Sequence, residues 1–165
     1  MQIQTDRLLV IACPLEVAEA LGDDRAAAAR LLDARLPDDW PDDELAELLP
    51  LYAKRLREDP EALGYGTWLL VDRSSGTVVG SAGFFGVPTA EGTVEIGYGV
   101  HPDQRNRGYA TEAARALVAW ALSQDTVARV TAHCRPANGA SVSVLTKAGL
   151  AQSGEIDGLS RWVTP

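Results

Sequence analysis

Apolar residues recur along this chain with two different periods, and the changes of period mark out its elements. Thr5 to Ala12 is rich in leucine and β-branched residues and predicts a first strand, ended near Pro14. Leu15 to Leu21 reads as a short helix stopped by Gly22, and Asp24 is placed to cap a second, Arg25 to Leu36, which contains four consecutive alanines. The segment Pro37 to Pro41 is a break. From Asp42 or Asp43 to Arg57, Leu45, Leu48, Leu49, Tyr52 and Leu56 share one helical face, and Pro50 is expected to kink that helix or split it in two. From Thr67 the period falls to two. Trp68 to Val71 and Thr77 to Phe85 predict strands around the turn Asp72 to Gly76, and Thr89 to Gly92 turns the chain into a third strand through Glu95. Pro102 ends that strand, since proline has no N–H to give to a ladder. Helical spacing returns with Ala110, Ala114 and Val118 beside Ala113, Leu117 and Ala121. A strand Arg129 to Cys134 follows, then a helix Asn138 to Ala148 stopped by Gly149, and a closing hairpin from Ala151 to Gly154 and Leu159 to Val163. This order predicts an α/β domain with a mixed sheet, and no repeat, low-complexity tract or linker divides residues 1–165.

Composition narrows the class. With 46% apolar and 23% charged residues the chain reads as globular. No apolar run is long enough to cross a bilayer and no charged-then-apolar signal opens the chain, so a cytoplasmic protein without membrane attachment is expected. A net charge of −8 argues against nucleic-acid binding, which needs clustered positive charge. An acidic surface would suit a cationic amine, but solubility alone accounts for it. Cys13 and Cys134 have no metal or redox spacing and are expected to be reduced, packed thiols. The two histidines, His101 and His133, have no ligand spacing, so no metal is expected. His133 and Cys134 are adjacent on a strand, point to opposite faces, and cannot form a nucleophile–base pair.

The chemistry concentrates between Glu95 and Ala113. A strand runs into the polar, basic loop Gln104-Arg105-Asn106-Arg107-Gly108, and a helix begins directly after it. Backbone N–H groups at a helix start lack internal partners and carry the positive end of the dipole, so such a place binds phosphate. Gly108, with no Cβ, lets a ligand approach the backbone. The pattern is not a dinucleotide fingerprint, because Gly97-x-Gly99 is followed by Pro102 rather than a third glycine, and no P-loop lysine motif is present. The strand glycines Gly97 and Gly99 suggest a bulge or the close approach of another backbone.

The stretch Arg105-x-x-Gly108-x-Ala110 resembles the Arg/Gln-x-x-Gly-x-Gly/Ala segment of the GNAT superfamily of N-acetyltransferases. The run Gly-Tyr-Ala-Thr-Glu-Ala from Gly108, the Thr-x-Arg-Leu-Leu opening from Thr5 and Glu-Ile-Gly-Tyr from Glu95 are similar to its RimJ/RimL-like branch. The segment Asn138-x-x-Ser141…Lys147-x-Gly149-Leu150 resembles a further GNAT motif. The matches lie in order along nearly the whole chain. The resemblance implies the GNAT fold: a mixed, mostly antiparallel central sheet of about six to seven strands flanked by about four to five helices. It implies acetyl-coenzyme A as cosubstrate, with Gln104, Arg105, Asn106, Arg107, Gly108, Tyr109, Ala110 and Thr111 around the pyrophosphate. Gly99, Val100 and His101 would lie by the pantetheine and thioester, where a strand amide polarises the carbonyl. Asn138 would cap its helix and reach the cofactor.

Glu95 is then the candidate general base for an amine, and Ser141 the residue that relays a proton to, or hydrogen-bonds, the departing sulfur. Many GNATs have a tyrosine acid where this chain has Leu145, so that route is closed here. No residue has the arrangement for a covalent acetyl-enzyme, which leaves direct transfer in a ternary complex. The helical region Leu15 to Leu63 would shape the acceptor site, with Asp38, Asp39, Asp42 and Asp43 either attracting a cation or serving as solvated caps. Trp40, Tyr52, Trp68, Tyr98 and Trp162 either line the acceptor pocket or pack the core. The acceptor stays open between a protein N-terminus and a small amine, and the sheet edges or exposed helices offer surfaces for a homodimer. The competing reading is a coenzyme A-binding regulatory or scaffold protein with little turnover.

Overall fold

The computed structural model describes residues 1–165. Eight strands form one sheet: β1 (Gln2–Gln4), β2 (Leu8–Ala12), β3 (Thr67–Asp72), β4 (Thr77–Phe84), β5 (Thr93–Val100), β6 (Arg129–Cys134), β7 (Ala151–Ile156) and β8 (Leu159–Val163). Five α-helices accompany them: α1 (Leu15–Asp23), α2 (Arg25–Leu32), α3 (Asp43–Glu58), α4 (Tyr109–Leu122) and α5 (Gly139–Lys147). The strands lie in the order β1-β2-β3-β4-β5-β6-β8-β7. Every neighbouring pair is antiparallel except β5 and β6.

Two cores sit on the two faces of this sheet. Trp68 and Leu70 join α4 residues such as Ala113, Leu117 and Ala121 in one, while Leu69 and Val71 join α1 to α3 in the other. Successive side chains of a strand point to opposite faces, and a strand covered on both reads as an unbroken apolar run, as Trp68-Leu69-Leu70-Val71 does. Full burial of Leu117, at 0% exposure, is worth about 2 kcal/mol.

Three expectations change. The opening segment forms two strands rather than one, with Thr5 bonding back to Leu8 between them, so the sheet has eight strands. The helix from Arg25 stops at Leu32 instead of Leu36. Asp33 turns left-handed at φ 49°, and Arg35 then exchanges backbone hydrogen bonds with Gly76 and Val78 beside β4. Pro50 neither ends nor divides α3, which runs continuously over 16 residues. Pro50 and Ala46 are both on the exposed side, so the carbonyl that proline leaves without a donor can be served by water.

Candidate active site

The chain between β5 and α4 is built to present amides. Asn106 (φ 60°) and Gly108 (φ 82°) are left-handed, and Gly108 caps α4 without any side-chain hydrogen bond. None of the six N–H groups from Asn106 to Thr111 donates to a protein acceptor. Consecutive free amides at a helix N-terminus form a concave anion site, so these residues fit a diphosphate. Arg105 Nε donates to the Val100 carbonyl at 3.2 Å, which folds that side chain back over the end of β5, and Arg107 is exposed. Gln104 closes a short 3-10 turn, its amide donating to the His101 carbonyl.

Arg7 holds this loop from beneath. Its Nε donates to Glu112 at 2.7 Å, its Nη1 to the Arg107 carbonyl at 2.7 Å, and its guanidinium stacks over the Tyr109 ring. The Glu112 carboxyl is partly buried, which would raise its pKa, but bonds from Thr5 and Arg7 outweigh this and hold it below the usual range. Asp72 behaves alike. Burial pushes upward, while the hydroxyls of Tyr109 and Ser74 and the amides of Ser74 and Ser75 bring it down to about 2.

The β5–β6 ladder ends at the pair Glu95↔Thr131, and beyond it the two strands part. The Phe85 amide donates to the Glu95 carbonyl and the His101 amide to the Val79 carbonyl, so the odd-numbered residues of this strand address their backbone groups to β4. The N–H groups of Tyr98 and Val100 therefore point into the opening. Those of Gly99 and His101 point the other way. His101 is further committed: it is 8% exposed, its Nε2 lies 2.8 Å from Asp39 Oδ1, and its Nδ1 accepts from the Asp103 amide. It anchors the loop to the segment before α3 and has no polar group left for a cofactor.

Glu95, Gly97 and Gly99 face α3, and Ile96, Tyr98 and Val100 face α4 and α5. On the first side a cleft of about 300 Å³ opens between α3 and strands β4 and β5. Leu45, Leu48, Tyr52, Arg55, Phe85 and Gly97 line it, with Asp42 and Glu44 at the α3 end. The Phe85 ring lies over Gly97, where a Cβ would come within 2.9 Å of it. Glu95 continues the same row, and its Oε1 lies 2.8 Å from His133 Nδ1. On the other side, the Tyr98 hydroxyl lies 2.9 Å from Ser141 Oγ. Burial holds the Tyr98 hydroxyl above its ordinary pKa, so it stays protonated. Ser141 is in the first turn of α5, where its amide donates to Asn138 Oδ1 at 3.1 Å. Asn138 thus caps the helix. Leu145 is buried in the core.

Residues 16–151 match the Acetyltransferase (GNAT) domain family. The chain belongs to the GNAT family. This GNAT is an acyl-coenzyme A-dependent acetyltransferase. It is 29% identical over 161 residues, 98% of this chain and 96% of the relative, to YjdG of Bacillus subtilis (strain 168), described as an uncharacterized N-acetyltransferase. Its fold is similar to that of RimL, the ribosomal L7/L12 α-N-protein acetyltransferase solved in complex with coenzyme A. That likeness has a TM-score of 0.69 at 17% identity and covers 99% of this chain and 97% of RimL. An acetyltransferase (GNAT family) from Bacillus anthracis gives 0.63 at 21% identity, covering 99% and 96%.

Two thiols are present in this GNAT and both are buried and free, with burial raising Cys13 to about 12. No cluster of three or more His, Cys, Asp or Glu could hold a metal, and no helix is long and apolar enough to cross a membrane. Of the aromatic residues considered from sequence, Tyr52 lines the cleft, Tyr98 borders it from β5 with its hydroxyl turned to Ser141 on the other face, and Trp40, Trp68 and Trp162 are buried in the cores. Sequence reasoning missed Arg7, Tyr98 as a partner of Ser141, and His133 as a partner of Glu95. Their partners lie 105, 43 and 38 residues away, so no local spacing announces them.

Proposed function

We propose that this protein transfers an acetyl group from acetyl-coenzyme A to a primary amine by direct attack in a ternary complex. One observation carries the reading: the sheet opens between β5 and β6, with two free amides at the opening, a carboxylate on one face and a hydrogen-bonded hydroxyl pair on the other. The amides of Asn106 to Thr111 receive the pyrophosphate, and the pantetheine enters the opening. The Tyr98 or Val100 N–H donates to the thioester oxygen and stabilises the charge that develops there. The amine comes from the α3 cleft, on the Glu95 side, where a proton acceptor is required because an amine is mostly protonated at neutral pH. Ser141, backed by Tyr98, hydrogen-bonds the departing sulfur on the opposite face. His101 and Asn138 position the loop and α5.

The acceptor is a protein N-terminus or a small amine, in a cytoplasmic setting. The RimJ/RimL-like motifs support the first, and the cleft, with Asp42, Glu44 and Arg55 among apolar walls, accommodates either. The test is thiol release from acetyl-coenzyme A against N-terminal peptides, amino acids, polyamines and aminoglycosides. Amine-dependent release is expected for one class. Coenzyme A binding without release for any amine would favour a regulatory binding protein.

A further inference from the structure

The Glu95–His133 pair sits where the sheet comes apart. Glu95 belongs to the last pair of the β5–β6 ladder, opposite Thr131, and His133 is two residues further along β6 on the same face as Thr131. The two side chains therefore bridge the two strands at the start of the opening, on the cleft side. Neither is sealed in: Glu95 is 38% exposed and His133 24%. The only protein hydrogen bond to the His133 ring is the one at Nδ1, and Nε2 is neither bonded nor closed off from solvent. The charged groups flanking the ring are Glu95 on β5, Arg161 opposite it on β8, and Arg135 two residues along its own chain.

A carboxylate can only accept a hydrogen bond, so Nδ1 must carry a proton whenever Glu95 is ionised. The exchangeable position on the ring is then Nε2, a lone pair with no protein partner and open to solvent. Fixing one imidazole nitrogen with a carboxylate so that the other can take a proton is a recurrent way to orient a base. We infer that His133 Nε2 is the proton acceptor for the amine and that Glu95 is the residue that holds its tautomer and stabilises the imidazolium. This rests on the proposed acetyl transfer and changes which atom does the proton chemistry. An ammonium acceptor gives one proton to Nε2, forming imidazolium paired with the Glu95 carboxylate. The nitrogen lone pair then forms the N–C bond at the thioester carbonyl as the C–S bond breaks. The sulfur leaves with the electron pair and is protonated through Ser141, the second proton that the nitrogen gives up to solvent balancing the one the sulfur takes, and the first leaves Nε2, so that one proton in all is released. The products are the amide and free thiol, with no oxidant or reductant involved.

The experiment compares wild type, His133→Asn, His133→Ala and Glu95→Gln, measuring kcat/KM for a panel acceptor and coenzyme A affinity by calorimetry. Asparagine can keep the donor to Glu95 but has no base, so kcat/KM should fall roughly 100-fold with the cofactor affinity unchanged. Added imidazole should restore activity to His133→Ala in a saturable way, which a purely structural role would not allow. Full activity of both His133 variants with Glu95→Gln inactive would overturn the inference and leave the acetyl-transfer reading standing, with Glu95 acting alone. Full activity of all three variants would overturn the inference and the base role on this face together. A readout independent of turnover is the 15N NMR spectrum of neutral His133 in the free protein. Protonated Nδ1 with bare Nε2 is expected, and the opposite tautomer would overturn the assignment whether or not an acceptor is known.

Discussion

Gly108 combines a left-handed backbone, φ 82°, with little spare room, since a Cβ there would lie 3.2 Å from the Arg7 guanidinium. A branched or bulky residue would be strained and would also project where the free amides converge. Gly108→Leu is therefore expected to weaken coenzyme A binding by roughly 100-fold in calorimetry, with a small loss of thermal stability from the backbone conformation. Unchanged affinity in a folded variant would refute the phosphate-loop assignment. Ser141 tests the other end of the cofactor. Ser141→Ala removes the hydroxyl paired with Tyr98 but leaves the backbone amide that Asn138 caps, so kcat should drop about tenfold while helix α5 and cofactor affinity persist. An unchanged kcat would remove Ser141 from the chemistry.

At the scale of elements, the N-terminal segment and α4 are tied together by Arg7. The Arg7–Glu112 bridge is partly exposed, at 47% and 16%, so as an ion pair it contributes only about 1 kcal/mol. Its larger effect is on the loop, because the same guanidinium also holds the Arg107 carbonyl. Arg7→Ala should lower the urea midpoint slightly and weaken coenzyme A binding about tenfold through lost loop order. A stability loss with no change in affinity would show that the loop does not depend on this anchor. The α3 wall of the cleft is separate from the phosphate loop. Leu48, 41% exposed, projects into the cleft. Leu48→Asp is expected to change acceptor KM several-fold with coenzyme A affinity unaltered, which steady-state kinetics at saturating cofactor would show.

For the whole molecule, acid sensitivity follows from the carboxylates that bind the strands to α4. Asp72 is held down at about 2 and Glu112 is lowered as well. A folded pKa below its unfolded value contributes stability that is complete above the unfolded pKa and is lost as pH falls through the folded one. The Asp72 contribution should thus be intact at pH 5 and disappear between about pH 4 and pH 2. Urea unfolding of wild type and Asp72→Asn should show a difference in midpoint that is largest near pH 5 and closes toward pH 2. A constant difference would mean that the hydrogen bonds of Asp72 do not depend on its charge.

The periodicities determined every strand but β1, four of the five helix positions closely, and the order of the remaining elements, because alternation and helical spacing are local consequences of which face is buried. The loop of free amides before α4 was equally legible. A strand, a glycine and a helix start are consecutive, and their amides need no distant partner to be free. What the sequence did not determine was every property that depends on a neighbour far along the chain. The early end of α2 follows from the bonds Arg35 makes beside β4. His101 is in the right segment, yet its nitrogens are taken by Asp39 and Asp103. Glu95 was visible as an acid on a strand, but its pairing with His133 depends on the parallel register of β5 and β6 and on where that ladder stops. Tertiary structure alone decided these, since a hydrogen bond is fixed by distance and angle in space, and residues tens of positions apart acquire that geometry only when the sheet has closed.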